Sequence, residues 1–136
     1  MDRALFVGIT ALIPLCLVVL VWAAVKTRSP QGSVPVARVE MASLAKALAE
    51  YRREFGAYPE GSPGKIGRAL CGENPAGRTF YSACLYGGRK VGRGGELLDI
   101  WGSPYEFEFQ AGGVRIRSAG ANRVPGDEDD LVLDGF

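Results

Sequence analysis

The longest run of apolar positions lies near the amino terminus, where residues 4–25 include no charged side chain. As a helix, a run of this length would span the roughly 30 Å hydrocarbon core of a bilayer. A cleaved signal peptide is the alternative, but the run is longer than such peptides need and does not end in a small-x-small cleavage site. The pattern therefore predicts an uncleaved, single-pass transmembrane anchor over residues 1–26.

The pattern changes after the apolar run. Residues 27–36 contain two prolines and a glycine, which favours a short extended linker over a continuous helix. Further along, apolar side chains recur at intervals of three and four, the spacing of one helix face: Met41, Leu44, Leu48, Tyr51 and Phe55. We therefore predict an amphipathic helix over residues 38–55, ended by Gly56. It stands at the start of a domain that spans residues 37–136.

Strict alternation of two residue classes occurs later in the chain and predicts a β-hairpin. Residues 105–109 alternate aromatic with acidic side chains, and residues 114–117 alternate apolar with basic ones. Residues 111–113 form the turn between them. We expect three aromatic side chains to face the core: Tyr105, Phe107 and Phe109. The outward side chains would place opposite charges across the two strands: Glu106, Glu108, Arg115 and Arg117.

These elements together predict an α+β fold. The expected order is a transmembrane helix, one amphipathic helix packed on a small antiparallel sheet, and a C-terminal acidic loop. Between helix and hairpin, residues 56–96 are rich in glycine and proline, which leaves room for little more than a short helical turn at residues 66–70. Cys71 and Cys84 lie in this stretch. They could form a disulfide outside the cytoplasm or remain two independent buried thiols.

Composition narrows the classes of function. The chain has 136 residues and a formal net charge of +1, so nothing in its charge favours a nucleic-acid partner. Histidine is absent, which removes histidine-based catalytic triads and histidine-ligated zinc. No motif for a catalytic carboxylate pair or a Ser-Lys arrangement is present either. We therefore expect a structural or binding role rather than an enzyme.

Acidic residues concentrate after the hairpin, and no basic residue follows Arg123. The oxygen-bearing side chains of this stretch are Asn122, Asp127, Glu128, Asp129, Asp130 and Asp134. Such a set suits a hard cation such as Ca²⁺, which takes about six to eight oxygen ligands. The spacing is not that of an EF-hand. A solvated acidic tail explains the composition equally well, so composition alone leaves both interpretations open.

Three short motifs occur in a defined order within residues 38–131. The first reads Y-x-x-x-x-G-x-Y-P: Tyr51, Gly56, Tyr58 and Pro59. The second reads D-x-W-G-x-P-Y: Asp99, Trp101, Gly102, Pro104 and Tyr105. The third reads S-x-G and, after a short loop, D-D-L: Ser118, Gly120, Asp129, Asp130 and Leu131. In this order they resemble the major, or G-type, pseudopilins of type II secretion systems, which belong to the type IV pilin-like superfamily.

The resemblance implies a calcium ion in the acidic loop, because the family members that this chain resembles bind Ca²⁺ there. Carried over by position, the expected ligands are the backbone carbonyls or side chains of Ala119, Asn122, Val124, Asp127, Asp129 and Asp130. Asn122 stands where the family has an aspartate, and Arg123 where it has a glycine.

The resemblance also implies a location, partners and a role. Pseudopilins are anchored in the lipid of the inner membrane with the C-terminal domain in the periplasm. They assemble with other pseudopilin subunits and with inner-membrane secretion or pilus assembly proteins. A prepilin peptidase would cleave between Gly8 and Ile9. The implied role is a structural subunit or accessory of a type II secretion pseudopilus or a related type IV pilus-like filament.

One alternative keeps the fold but changes the role. The chain has Ile13 where pilin precursors carry a glutamate, and prolines follow its apolar segment. These features favour a membrane-anchored pilin-like binding module that is neither processed nor assembled.

Overall fold

The computed structural model describes residues 34–86 and 90–135, which belong to one unit, Gln31–Phe136. The predicted anchor at residues 1–26, with Gly8 and Ile9, lies outside this part of the chain. Among the described residues, no helix combines the length and the apolar character needed to cross a membrane. The described residues fold as helices followed by a three-stranded antiparallel sheet, so the predicted α+β class is confirmed.

Helix α1 spans Val34–Phe55. It begins inside the stretch predicted as a linker, so the linker predicted over residues 27–36 is too long at its C-terminal end. Residues 27–33 lie outside the described residues. Pro35 is compatible with this start because the first helical turn has backbone N–H groups without intrahelical acceptors, so a missing N–H costs little there.

The buried face of α1 follows the predicted apolar stripe. Met41, Leu44 and Leu48 are buried, and Tyr51 packs at the edge of the core. Burying each such aliphatic side chain contributes about 1.5–3 kcal/mol. The helix ends at Gly56, whose φ of +79° suits glycine and whose N–H donates to the Arg52 carbonyl at 2.8 Å. The predicted amphipathic helix and its end are therefore confirmed.

Helix α2, Pro63–Leu70, extends the short helical turn predicted at residues 66–70 by one turn at its start. Ser62 is the N-cap, and its hydroxyl oxygen accepts from the Lys65 N–H at 3.4 Å. Pro63 occupies the first helical turn. The buried side chains of Ile66 and Leu70 pack α2 against the same core as α1. A short 3₁₀ helix, Ser82–Tyr86, follows.

The sheet consists of β1 (Glu106–Gln110), β2 (Gly113–Ser118) and β3 (Leu131–Asp134), in the order β1-β2-β3. The hairpin of β1 and β2 is the predicted one. The predicted charge pairs also form: Arg117 lies 3.7 Å from Glu106, and Arg115 lies 3.4 Å from Glu108. Strand β3 was not predicted, because its short apolar run follows directly on the acidic residues and carries no alternation.

The prediction that three aromatic side chains of the hairpin face the core is only partly correct. Tyr105 is fully buried, Phe107 is half-buried and Phe109 is 37% exposed. Helix α1 packs on β2 and β3, whereas β1 is the edge strand on the opposite side of β2 from β3. Phe109 instead stacks on Tyr58, with their ring centroids 5.1 Å apart.

A half-buried ion pair connects α1 to the segment that precedes the sheet. The Lys90 Nζ lies 2.7 Å and 2.9 Å from the two carboxylate oxygens of Glu40. Tyr81 lies in the core nearby, and burial, followed by the charge of Glu40, raises the pKa of its phenol to about 12. Burial, followed by the neighbouring Tyr81, also raises the pKa of Tyr105 well above its usual range. Both phenols therefore stay neutral at physiological pH.

Candidate functional site

The acidic loop connects two neighbouring strands, which brings its ends together. Strand β2 ends at Ser118 and β3 begins at Leu131, and these two residues are paired in the antiparallel ladder. The intervening residues 119–130 must therefore turn back on themselves over a short distance. This closure gathers the acidic side chains at one end of the sheet, as the sequence prediction of an acidic loop requires.

Asn122 is the hydrogen-bonding centre of this loop. Its side-chain Nδ2 donates to Asp127 Oδ2 at 2.6 Å, and its Oδ1 accepts from the Val124 N–H at 2.7 Å. Its own backbone N–H donates to Asp129 Oδ2 at 2.8 Å. One residue thus connects both sides of the loop. Arg123 follows with a φ of +62°, in the left-handed region that non-glycine residues seldom adopt.

The loop carboxylates also accept hydrogen bonds from the loop backbone. Asp127 Oδ1 accepts from the Asp129 N–H at 2.9 Å, and Asp130 Oδ2 accepts from the Gly126 N–H at 2.8 Å. Carboxylates that accept amide hydrogen bonds stabilise a turn without any cation. The loop is therefore organised largely by its own amides.

Asp130 differs from the other loop acids because it is nearly buried. Its side chain is 9% exposed, and its Oδ1 is buried with no hydrogen-bond partner among the described residues. Its Oδ2 lies 3.9 Å from Arg117 Nε. A buried carboxylate oxygen without a partner costs about 1–3 kcal/mol or more, so this oxygen is suited to a donor or a cation.

The structure brings together some of the six predicted calcium ligands. Asn122, Asp127 and Asp129 are joined by direct hydrogen bonds, and the backbone N–H of Asp130 donates to the Asp127 carbonyl at 3.2 Å. The other two behave differently: Ala119 is buried where β2 leaves the sheet, and Val124 is exposed and bonds to Asn122 through its N–H.

The ligand atoms that this loop offers suit calcium, but their present positions do not form a calcium site. The loop side chains offer only oxygen ligands, which is the set that Ca²⁺ takes, and Asp130 Oδ1 is an acceptor without a hydrogen-bond partner among the described residues. In residues 34–86 and 90–135, however, no group of three or more His, Cys, Asp or Glu side chains is arranged to hold a metal ion. Binding would require carboxylates to exchange amide hydrogen bonds for the cation.

Asp99 supports the base of the loop, a role that the sequence analysis did not assign. Its side-chain Oδ1 accepts from the N–H groups of Trp101 at 3.0 Å and Ser103 at 2.8 Å. Its Oδ2 accepts from the Ser118 hydroxyl at 2.6 Å, at the residue where β2 enters the loop. The available signal was an aspartate two residues before a W-G-S sequence, the setting of a side chain that closes its own turn.

Cys71 and Cys84 are joined by a disulfide, with their Cα atoms 5.4 Å apart. Cys71 is the C-cap of α2, and its N–H donates to the Gly67 carbonyl at 3.0 Å. Cys84 lies in the 3₁₀ helix Ser82–Tyr86. The bond therefore ties the end of α2 to a segment that has little regular structure of its own.

We expect the double variant Cys71→Ser/Cys84→Ser to be less stable than the natural chain by about 3 kcal/mol, because a loop of this length loses its closure constraint in the unfolded state. Urea denaturation of the full chain in detergent, followed by near-UV circular dichroism, measures the difference. A reducing agent should lower the stability of the natural chain by a similar amount and leave the double variant unchanged. Equal stability of the two oxidised proteins would contradict the prediction.

In a comparison with models of protein families, residues 24–133 match the type II secretion system protein G family. The chain belongs to this family. It is thus a pseudopilin, a class of structural component of the secretion machinery, as the three sequence motifs indicated. The matched region includes α1, α2, the 3₁₀ helix, the whole acidic loop and most of β3. No curated protein and no solved structure matches the chain significantly.

Proposed function

We propose that this pseudopilin is a structural subunit of a type II secretion pseudopilus or a related type IV pilus-like filament. The observation that carries the proposal is the extent of the family match, which runs from the end of the apolar segment to β3. Its partners would be other pseudopilin subunits and inner-membrane secretion or pilus assembly proteins. The single-pass anchor would lie in the inner membrane. The disulfide supports a periplasmic domain, because such bonds persist in oxidising compartments.

The test of assembly is made on the full chain, produced in cells with a complete secretion system. We expect filaments sheared from these cells to contain the chain, with Ile9 as its mature amino terminus by mass spectrometry. A chain that keeps Met1 and never enters sheared filaments would contradict the proposal. That result would favour the membrane-anchored module that is neither processed nor assembled.

We further propose that calcium orders the acidic loop of this subunit. The residues that would hold it are the six carried over from the family: Ala119, Asn122, Val124, Asp127, Asp129 and Asp130. When bound, the ion would neutralise carboxylates that otherwise repel one another. The proposal is supported by the all-oxygen donor set of the loop and by the buried, unpartnered Asp130 Oδ1.

Millimolar Ca²⁺ should raise the melting temperature of the full chain above its value in EDTA, because an ion that binds only the folded state adds about 2.7 kcal/mol at a hundredfold excess over its dissociation constant. Asp130→Asn should remove most of this rise, since it removes a charge without changing the shape. Glu108→Gln, on the exposed face of β1, is the matched control and should keep the rise. Identical melts of the natural chain in Ca²⁺ and EDTA would exclude the calcium proposal.

A further inference from the structure

The three hydrogen bonds of Asn122 connect parts of the acidic loop that a cation would otherwise have to hold together. We infer that the Asn122 side-chain amide acts as a built-in substitute for part of the charge of a metal ion. It holds part of the loop in place in the absence of calcium and limits how strongly the loop depends on calcium. The inference rests on the proposed calcium role of the loop and identifies the residue that sets its calcium dependence.

The geometry leaves one orientation for the Asn122 amide. The Val124 N–H can only donate, so the atom that faces it at 2.7 Å must be the amide oxygen. A carboxylate can only accept, so the atom that faces Asp127 Oδ2 at 2.6 Å must be the amide nitrogen. Each end of the amide has one suitable partner. An asparagine satisfies both contacts, and no other side chain of this size and shape does so.

An aspartate at position 122 would keep the contact with the Val124 N–H but turn the contact with Asp127 from attraction into repulsion. One oxygen could still accept from the Val124 N–H, but the other would face Asp127 Oδ2 with no proton between them. Two carboxylates at such a distance repel each other unless a proton or a cation lies between them. The same change that weakens the metal-free loop would add a charged oxygen ligand for Ca²⁺.

In the part of the chain that the structure describes, no cationic side chain forms an ion pair with Asp127. Among the ion pairs of the described residues, Arg117 is the basic residue that reaches a loop acid, and it lies beside Asp130. Arg123 is adjacent to Asn122 but forms no ion pair in the described part of the chain. The neutral amide is therefore the side-chain donor that Asp127 has.

A second observation, independent of the bonds that Asn122 makes, is an acceptor that the donors of the loop leave unused. Asp130 Oδ1 has no hydrogen-bond partner among the described residues, although the side chain of Asp130 is only 9% exposed. The loop thus has a side-chain amide that holds Asp127, a backbone N–H of the same residue that holds Asp129, and an acceptor that its own donors leave unused. Residue 122 determines how much of the loop is held before any ion binds.

The test compares melting temperatures of the natural chain and Asn122→Asp, each as the full chain in detergent, in EDTA and in millimolar Ca²⁺. In EDTA we expect the variant to melt about 4–8 °C lower, a change typical for one strong polar contact in a domain of this size. In Ca²⁺ the difference should close or reverse. The calcium-induced rise should therefore be larger for the variant than for the natural chain.

Asn74→Asp is the matched control, because Asn74 closes another turn in the same way. Its Nδ2 donates to the carbonyls of Ala69 and Arg78, each at 2.7 Å, and no loop acid is involved. This variant should melt lower in both media and show no rescue by calcium.

Three results would overturn the inference about Asn122. They are an Asn122→Asp chain that equals the natural chain in EDTA, one that is weakened but not rescued by Ca²⁺, and an Asn74→Asp chain that is rescued equally well. The calcium response of the natural chain is a separate measurement and tests the proposed function. A natural chain that does not respond, together with a variant that does, would support the inference while contradicting the calcium role of the natural loop.

Discussion

Gly67→Ala is expected to destabilise the domain by about 4 kcal/mol, above the usual 1–3 kcal/mol of an overpacking substitution. A Cβ atom at this position would approach the Gly95 carbonyl oxygen more closely than the 3.0 Å that real Cβ contacts respect. It would also lie 3.1 Å from the Gly95 carbonyl carbon and 3.3 Å from Leu97 Cγ. Because the obstacle is backbone, no side-chain rotation relieves the clash, and α2 must move away from the segment that leads to the sheet.

The same measurement shows whether helix propensity or the tertiary contact with Gly95 has the larger effect on the stability of α2. Helix propensity alone favours alanine over glycine by about 1 kcal/mol, so an isolated helix would be stabilised. Urea denaturation of the full chain in detergent measures which effect is larger. Gly112→Ala is the control, because a Cβ at that turn position would meet no atom within 4 Å. If Gly67→Ala is as stable as the control, the close contact of α2 with Gly95 is not present in solution.

The contrast between α1 and β3 shows how far the amino-acid pattern predicts this fold. The apolar stripe of α1 is long enough to identify both the element and its buried face, and the alternation of residues 114–117 does the same for β2. Strand β3 is only four residues long, Leu131–Asp134, and has no alternation. It forms a strand because it pairs with β2, with Leu131 opposite Ser118. This pairing is a tertiary contact that the local sequence does not reveal.

The candidate site is likewise predicted only in part by the sequence. The composition of the loop predicts a concentration of oxygen ligands, and the structure places Asn122, Asp127 and Asp129 in contact. The sequence cannot predict which of these acidic side chains becomes buried. Asp130 is nearly buried because it directly precedes β3, and it lies beside Arg117 of β2 across the ladder. Whether these acids bind a cation stays a prediction for the calcium melts to decide.

Asp99 connects the two parts of the molecule that the sequence analysis treated separately. It lies in the turn before β1, yet its carboxylate accepts the hydroxyl of Ser118 at the end of β2. Ser118 Oγ in turn accepts from the Gly120 N–H at 3.3 Å, inside the acidic loop. The turn at residues 99–103 and the loop at residues 119–130 therefore share one buried hydrogen-bond network, and the position of the loop depends on a residue outside it.

Asp99→Ala should consequently have the largest effect of the substitutions considered, a loss of about 5 kcal/mol in the free energy of unfolding. The carboxylate is 2% exposed, and its removal leaves the N–H groups of Trp101 and Ser103 and the Ser118 hydroxyl without their acceptor. Each buried group that loses a charged partner costs about 1.5–3 kcal/mol, partly recovered by relaxation and by water entering the space. Urea denaturation of the full chain in detergent measures the loss.

Asp99→Asn separates the hydrogen bonds of this carboxylate from its charge. Both backbone N–H groups donate to the same oxygen, Oδ1, so an asparagine can keep these two bonds and lose only the acceptor of the Ser118 hydroxyl. We expect a loss of about 2 kcal/mol, the cost of one unsatisfied buried hydroxyl. If asparagine were as damaging as alanine, the negative charge, rather than the two amide contacts, would be what holds the turn. If alanine cost less than about 1 kcal/mol, the network that joins the turn to the acidic loop would not contribute to folding.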